Sequence, residues 1–256
     1  YTHRDLGVVV MELIDGLDLN ALVDPYDHAA LASSYTAAEW QHVNNVIFTD
    51  PDHRVQPGVA FYILRKILRG LETMHRIGYI HCDIKPSNIM IDRFGTVKLI
   101  DFGRATAITD RDDFFLGSPM YMAPELHERK HLGPLVDLYS AGIVVLELLH
   151  GGHLMDARSP EREIHRFKLA LPGRILDFLP EPARRNETLV KILLRLLAVN
   201  PADRYPSATD ADAGHEGAYL IHQQLTRSNL DTDYGRELET YLAHRLPPRV
   251  SSQSLL

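Results

Sequence analysis

The apolar positions along the chain change period several times, and each change predicts an element. Gly7 to Ile14 (GVVVMELI) is a short, β-branched apolar run, which predicts a buried strand ended by Asp15-Gly16. Leu17 to Val23 predicts a short helix. From about Asp24 to Gly58 the pattern loosens around Pro25, Pro51 and Pro57, and predicts an irregular insertion with one short helix near Trp40. Val59 to Arg76 then places Ala60, Ile63, Leu64, Ile67, Leu68, Leu71 and Met74 on one face at helical spacing. Ile89 to Ile91 and Val97 to Ile100 read as two short strands joined by the turn Asp92-Arg93-Phe94-Gly95, hence a hairpin. Val136 to Leu149 is apolar on nearly all sides, which predicts a buried helix. Leu189 to Leu197 is a further helix, stopped by Asn200-Pro201. Past Gly217 the sequence predicts a polar helical tail with a disordered, Ser-rich end after Pro247-Pro248. The chain shows no internal repeat.

Composition adds limits. Apolar residues are 45% and charged residues 24% of the 256 residues, an ordinary globular balance. A formal net charge of -7 gives no basic surface for nucleic acid, and pairs such as Arg184-Arg185 are isolated. The single cysteine, Cys82, permits no internal disulfide and fits a reducing, cytoplasmic setting. The longest apolar run, Ala141 to Leu149, is interrupted by Glu147 and falls short of the roughly 18 residues a membrane span needs. The chain opens on Tyr1 and leads almost at once into the first apolar run, so it reads as a piece of something longer.

The residues with chemical potential are concentrated. His81-Cys82-Asp83-Ile84-Lys85-Pro86-Ser87-Asn88 lies between the long helix and the hairpin, and Asp101-Phe102-Gly103 follows thirteen residues after Asn88. Phosphoryl transfer needs a carboxylate to orient the attacking hydroxyl and oxygen ligands for metal ions that neutralise phosphate. An Asp with an Asn five residues on, and a second Asp at the end of the hairpin, supply those groups; Mg²⁺ favours such hard oxygen donors. Each residue alone is more often a turn or capping residue. The ordered set carries the signal.

That set resembles the catalytic and metal-binding loops of eukaryotic-type protein kinases. Gly117-Ser118-Pro119-Met120-Tyr121-Met122-Ala123-Pro124-Glu125 resembles the end of the family's activation segment. Asp137-Leu138-Tyr139-Ser140-Ala141-Gly142 resembles the start of its central buried helix, and Asn200-Pro201-Ala202-Asp203-Arg204-Tyr205 its late Arg-containing loop. The likeness runs from about Gly7 to about Ala213 and implies a mainly α fold, the helical large C-terminal lobe of a two-lobed α+β kinase with short β-hairpins. The implied organisation is a last small-lobe strand and hinge over 1–15, the large lobe over 16–216, and a helical then disordered tail over 217–256.

The resemblance implies roles residue by residue. Asp83 is the expected catalytic base, Lys85 the residue that steadies the γ-phosphate, and Ser118 the hydroxyl that bridges them. Asn88 and Asp101 are the expected Mg²⁺ ligands. Met11 would be the gatekeeper, Glu12 and Ile14 would meet the adenine edge through their backbones, Asp18 would bond the ribose, and Met90 would lie under the adenine. His81 and Phe102 would pack in an internal spine, Asp137 would anchor the loop backbone, and Glu125 would pair with Arg204. The Asp-x-Lys-Pro-x-x-Asn pattern resembles Ser/Thr-directed members.

The implied activity is transfer of the ATP γ-phosphoryl group to Ser or Thr hydroxyls of a protein substrate, with ATP and Mg²⁺ as cofactors. A regulatory partner or domain is expected; nucleic acid and membrane are not. Two alternatives are a catalytically dead scaffold domain and a small-molecule phosphotransferase. The latter shares the His-x-Asp and the later Asn but lacks the Gly117 to Glu125 pattern.

Three departures bear on this reading. No Gly-rich phosphate loop, strand Lys or helix Glu is found in the sequence, so the chain alone is expected to be a truncated, largely inactive piece. Cys82 stands where many family members carry Arg, and Asp110, Asp112 and Asp113 crowd the following segment. Activation without phosphorylation of that segment is therefore expected. The insertion over 24–58 is longer than the family's usual link.

Overall fold

The computed structural model describes residues 2–3, 6–7, 10–23, 31–49, 54–110, 117–129 and 132–247. Their fold is mainly helical, with short antiparallel pairs, as the family resemblance implies. Two helices form its centre. Helix α3 (Pro57–Arg76) carries the predicted apolar stripe, with Ala60, Ile63, Leu64, Ile67, Leu68 and Leu71 all fully buried. Helix α5 (Leu135–His150) is buried from Val136 to Leu149, as its all-round apolarity requires. The two pack against each other. Around α3 lie α9 (Ala208–Ala213) and α10 (Ala218–Ser228), and α5 also packs on α8 (Glu187–Leu196).

A three-stranded sheet of β3 (Gly16–Asp18), β7 (Ile89–Asp92) and β8 (Val97–Leu99) sits on α3 through β8. Its turn is closed by Asp92, whose Oδ1 accepts from Phe94 N and Thr96 N at 3.0 Å each, with Gly95 at φ 73°. Gly16 is required where it stands, since a Cβ there would come 2.1 Å from the Ile91 carbonyl oxygen.

The start of the chain departs from expectation. Among the described residues of Gly7–Ile14, no strand runs beyond Gly7. Leu6–Gly7 (β2) pairs with Thr2–His3 (β1), while residues 10–15 are irregular and Val10, Met11 and Leu13 are 75%, 80% and 92% exposed. An apolar run forms a strand only against an available edge, and the edge of Met90–Asp92 is taken by Gly16–Asp18. For the same reason the helix expected from Leu17 begins only at Asn20 and is the four-residue α1 (Asn20–Val23).

The loosely patterned stretch holds more order than its sequence suggests. Helix α2 (Ala37–Val46) contains Trp40 and starts with a complete capping box, in which Thr36 and Glu39 satisfy each other's backbone N–H. A small hairpin follows, β4 (Phe48–Thr49) with β5 (Arg54–Val55), and Val43, Ile47, Phe48 and Val55 join the core. The segment past Gly217 is likewise more than a polar tail. In α10 and α11 (Tyr234–Ala243), Ile221, Tyr234, Leu238, Tyr241 and Leu242 are buried. Alternate polar positions had masked an amphipathic stripe.

The insertion and α11 close on each other. Tyr35 Oη donates to the Tyr241 carbonyl at 3.0 Å, His42 meets Glu237 at 2.7 Å, and Phe48 lies edge-on to Tyr241. Arg245 Nη1 donates to the Ala21 carbonyl at 2.9 Å. The Ser-rich end lies outside the described residues. No helix among those described is long and apolar enough to cross a membrane.

Candidate active site

The loop from His81 to Asn88 is held from beneath by the buried helix. Asp137, in the first turn of α5, accepts from His81 N and Cys82 N at 2.9 Å each and from His75 Nε2 at 2.8 Å. It is 1% exposed, so its carboxylate is fully spent on these donors. That grip holds Cys82 at φ 65°, a conformation that disfavours any residue with a Cβ. His81 is fully buried, and its Nε2 donates to the Ile100 carbonyl at 3.2 Å. It is a packed residue, as expected.

Asp83 is the focus of the site. Its Oδ1 accepts from Ser118 Oγ at 2.9 Å and Ser118 N at 3.3 Å; its Oδ2 accepts from Lys85 Nζ at 2.8 Å and Asn88 Nδ2 at 3.1 Å. Lys85 Nζ also donates to Ser118 Oγ at 3.2 Å, so Asp83, Lys85 and Ser118 form a closed triangle. Arg104 Nη1 stands 3.7 Å from Oδ1. Burial pushes the Asp83 carboxyl up, but the bonds from Lys85 and Ser118 and the charges of Lys85 and Arg104 outweigh it. The carboxyl is held below its usual range and is ionised at neutral pH.

Asn88 is 4% exposed, and its amide nitrogen is committed to the Asp83 carbonyl at 2.8 Å and to Oδ2. Its side-chain oxygen is thereby left as the atom that the expected ligand role would use. Ile100 N donates to the Asn88 carbonyl at 3.0 Å, which ties the loop to the residues that lead from β8 into Asp101. Asp101 is in the left-handed region (φ 60°), is exposed, and among the described residues accepts a 3.3 Å bond from Gly103 N in the turn it caps. An exposed carboxylate and a carbonyl oxygen are hard donors of the kind Mg²⁺ takes, so the two residues fit that ion. Phe102 touches the His81 ring at 5.5 Å but is 54% exposed, so the spine expected of it is only half enclosed.

The nucleotide-facing expectations divide. Asp18 and Met90 are brought together as a cross-strand pair, Met90 half-buried and Asp18 capping Asn20 N through Oδ1 at 3.0 Å. Ile14 is half-buried on the approach to them. Met11 is exposed, and the Glu12 carboxylate pairs with Lys98 at 2.5 Å.

The segment Gly117–Glu125 closes the other side. Two more polar residues of α5 hold it. Ser140 Oγ donates to the Tyr121 carbonyl at 2.8 Å, and Glu147, fully buried, accepts from Tyr121 Oη at 2.8 Å. Glu125, the second residue of α4 (Pro124–His127), receives Arg204 Nη1 and Nη2 at 2.7 Å each, the expected pair in bidentate form. Sequence reasoning missed Ser140, Glu147, His75 and Lys168. A signal for the first two was present: they are polar residues on the otherwise apolar α5, and such residues are buried only when bonded. Thr106 lies in β9 (Thr106–Ala107), paired with β6 (Tyr79–Ile80); residues 111–116, with Asp112 and Asp113, lie outside the described residues.

The arrangement presents one buried, ionised carboxylate flanked by a cation, a hydroxyl and two hard oxygen ligands. That is a set able to orient an acceptor hydroxyl beside a metal-bound phosphate. Comparison with known proteins agrees. Residues 8–213 match the family model described as the protein kinase domain. The chain is 36% identical to the serine/threonine-protein kinase STE20 of Saccharomyces cerevisiae over 151 residues, 58% of this chain and 16% of that protein. It is 30% identical to the probable serine/threonine-protein kinase PknB of Corynebacterium glutamicum over 205 residues, 76% of this chain and 32% of that protein. The chain thus spans a third or less of the length of either relative.

Proposed function

The chain belongs to the protein kinase domain family, and from that premise we propose that it carries the catalytic and acceptor-binding residues of a Ser/Thr protein kinase. The observation that carries the reading is the closed triangle of Asp83, Lys85 and Ser118, which holds an ionised carboxylate toward an acceptor. Asp83 orients the Ser or Thr hydroxyl of a protein substrate and receives its proton. Lys85, a compact cation, steadies the phosphate as it is transferred. Ser118 links the segment that seats the substrate to the carboxylate that acts on it.

Asn88 and Asp101 would hold Mg²⁺, which offsets phosphate charge when bound; ATP supplies the γ-phosphoryl group. Met90 and Asp18 would meet the adenosine part, with Met11 as gatekeeper and the Glu12 and Ile14 backbones on the approach. A protein acceptor is supported over a small molecule by the Gly117–Glu125 segment, which Ser140 and Glu147 of α5, together with Arg204, fix as a platform. Asp137, also on α5, fixes the loop facing it.

The test separates two roles. In the full-length protein, Asp83→Asn should abolish phosphoryl transfer to a generic protein acceptor such as casein while Mg²⁺–ATP affinity stays within about twofold, because Asp83 acts on the acceptor. Asp101→Asn should weaken Mg²⁺-dependent ATP binding itself. Equal losses of affinity in both variants would overturn the assignment. Transfer that is absent even in the full-length protein while ATP binds would support a scaffold in its place.

A further inference from the structure

One charge has no part in the chemistry above. Lys168 lies on α6 (Glu161–Ala170) and is fully buried. With buried Ile164 one turn before it and Leu171 just after it, it occupies the inward stripe where an apolar residue is expected. Burying a cation is costly unless its protons are bonded. Lys168 Nζ donates to the carbonyls of Pro119 and Met122, and it meets His127 Nε2 at 3.2 Å. These partners are two carbonyls and an imidazole, with no carboxylate among them.

The three bonds fix the proton arrangement. His127 Nδ1 faces Glu161 Oε1 at 3.0 Å, which requires the proton on Nδ1 and leaves Nε2 as an acceptor. An ammonium has three protons for three acceptors; a neutral amine has two. Either an acceptor goes unbonded, or His127 must move its proton to Nε2 and turn a lone pair toward Glu161. Burial pushes the Lys168 ammonium down to about 7, against the charges of Glu125 and Glu161 that raise it. Burial and Lys168 itself hold His127 below its usual range, which agrees with a neutral imidazole. The other titratable groups around the cluster are His165, stacked on His127 at 5.3 Å, and Glu128, 3.6 Å from His165.

The two carbonyls belong to the turn that directly follows Ser118. Tyr121 N and Met122 N donate back to the Ser118 carbonyl at 2.9 and 3.2 Å. A shift of Pro119 and Met122 is therefore a shift of Ser118, whose hydroxyl holds Asp83. We infer that Lys168 is a positioning residue for the acceptor platform: its ammonium sets where Ser118 meets Asp83, and loss of its proton loosens that seat. The consequence for the acceptor rests on the kinase reading; the coupling between Lys168 and the Gly117–Ala123 segment does not.

Amide hydrogen exchange tests the coupling without turnover. In the unaltered protein, peptides spanning Gly117–Ala123 should be about tenfold better protected at about pH 6 than at about pH 8, after correction for base catalysis. Lys168→Arg, which keeps its charge at both pH values, should remove that difference and keep the protection. Lys168→Met should lower protection at both. Where transfer is measured, Lys168→Met should raise the KM for a peptide acceptor about tenfold and leave that for ATP within twofold, with Lys168→Arg restoring most of it. Equal protection at both pH values in the unaltered protein overturns the proposal, whether or not the variants fold. An intact exchange pattern with no transfer by the full-length protein overturns the kinase reading alone. An intact pattern with transfer but an unchanged acceptor KM overturns the positioning role.

Discussion

Arg204 closes on Glu125 through two bonds of 2.7 Å and spends its remaining donors on the carbonyls of Leu135, Ala198 and Val199. Both residues are buried. The pair ties the end of the acceptor platform to the first turn of α5 and to the loop after α8. Removing one partner of such a pair strands a buried charge, at about 3–5 kcal/mol. Arg204→Met should therefore lower unfolding stability by that amount. Arg204→Lys should recover only part of it, since an ammonium cannot reproduce the planar fork. Urea denaturation checks both; unchanged midpoints would show the pair to be dispensable.

Cys82 is the neutral neighbour of Asp83. Burial pushes its thiol up to about 12, with the Asp137 charge adding to the effect and a bond to Thr106 opposing it. The reactive species is the thiolate, so the sign is that reactivity is low at neutral pH and rises only in strong base. Alkylation by iodoacetamide at about pH 8 should run more than about a hundredfold slower than for free cysteine. Intact-mass measurement over time gives the rate, and rapid labelling of the folded protein would contradict the burial.

Gly58 lies in the first turn of α3, where a Cβ would stand 2.0 Å from Tyr234 Oη. Alanine is the better helix former by about 1 kcal/mol, but here the clash dominates. Gly58→Ala should cost about 2 kcal/mol by displacing Tyr234 and the start of α11. With Tyr234→Ala in place the same change should be neutral or stabilising. A thermodynamic cycle over the four proteins measures that coupling, and additive effects would sink the idea.

How far the sequence carried can be seen in particular residues. The stripe of α3, the all-round apolarity of α5 and the turn at Asp92–Gly95 are local signals, and all three elements stand where they were expected. Asp83, Lys85, Asn88 and Asp101 were found because their order matches a family, and the structure adds the geometry that order cannot give. The strand expected over Gly7–Ile14 failed for a non-local reason: periodicity reports what a segment prefers but not which sheet edge it will find. Lys168 was illegible for a similar reason. A lone lysine on a helix reads as solvated, and only the fold reveals that its acceptors are carbonyls nearly fifty residues earlier. The capping box at Thr36–Glu39 was legible but was overlooked beneath the prolines around it.

The closure of the insertion on α11 also bears on the order in which the chain assembles. Tyr35 and Tyr241 are 206 positions apart, and Ala21 and Arg245 are 224. Contacts across such separations must await the local ones, because closing the intervening chain is entropically unfavourable until helices have shortened it. The pairing of α3 with α5 and the β7–β8 hairpin form within far shorter spans. The seam between insertion and α11 is therefore expected to be the last part of the described molecule to set and the first to fray. The chain's single tryptophan, Trp40, packs against Tyr35 at that seam with ring centroids 5.5 Å apart. Its fluorescence is thus a built-in clock for the final docking step, silent about the earlier formation of the catalytic loop.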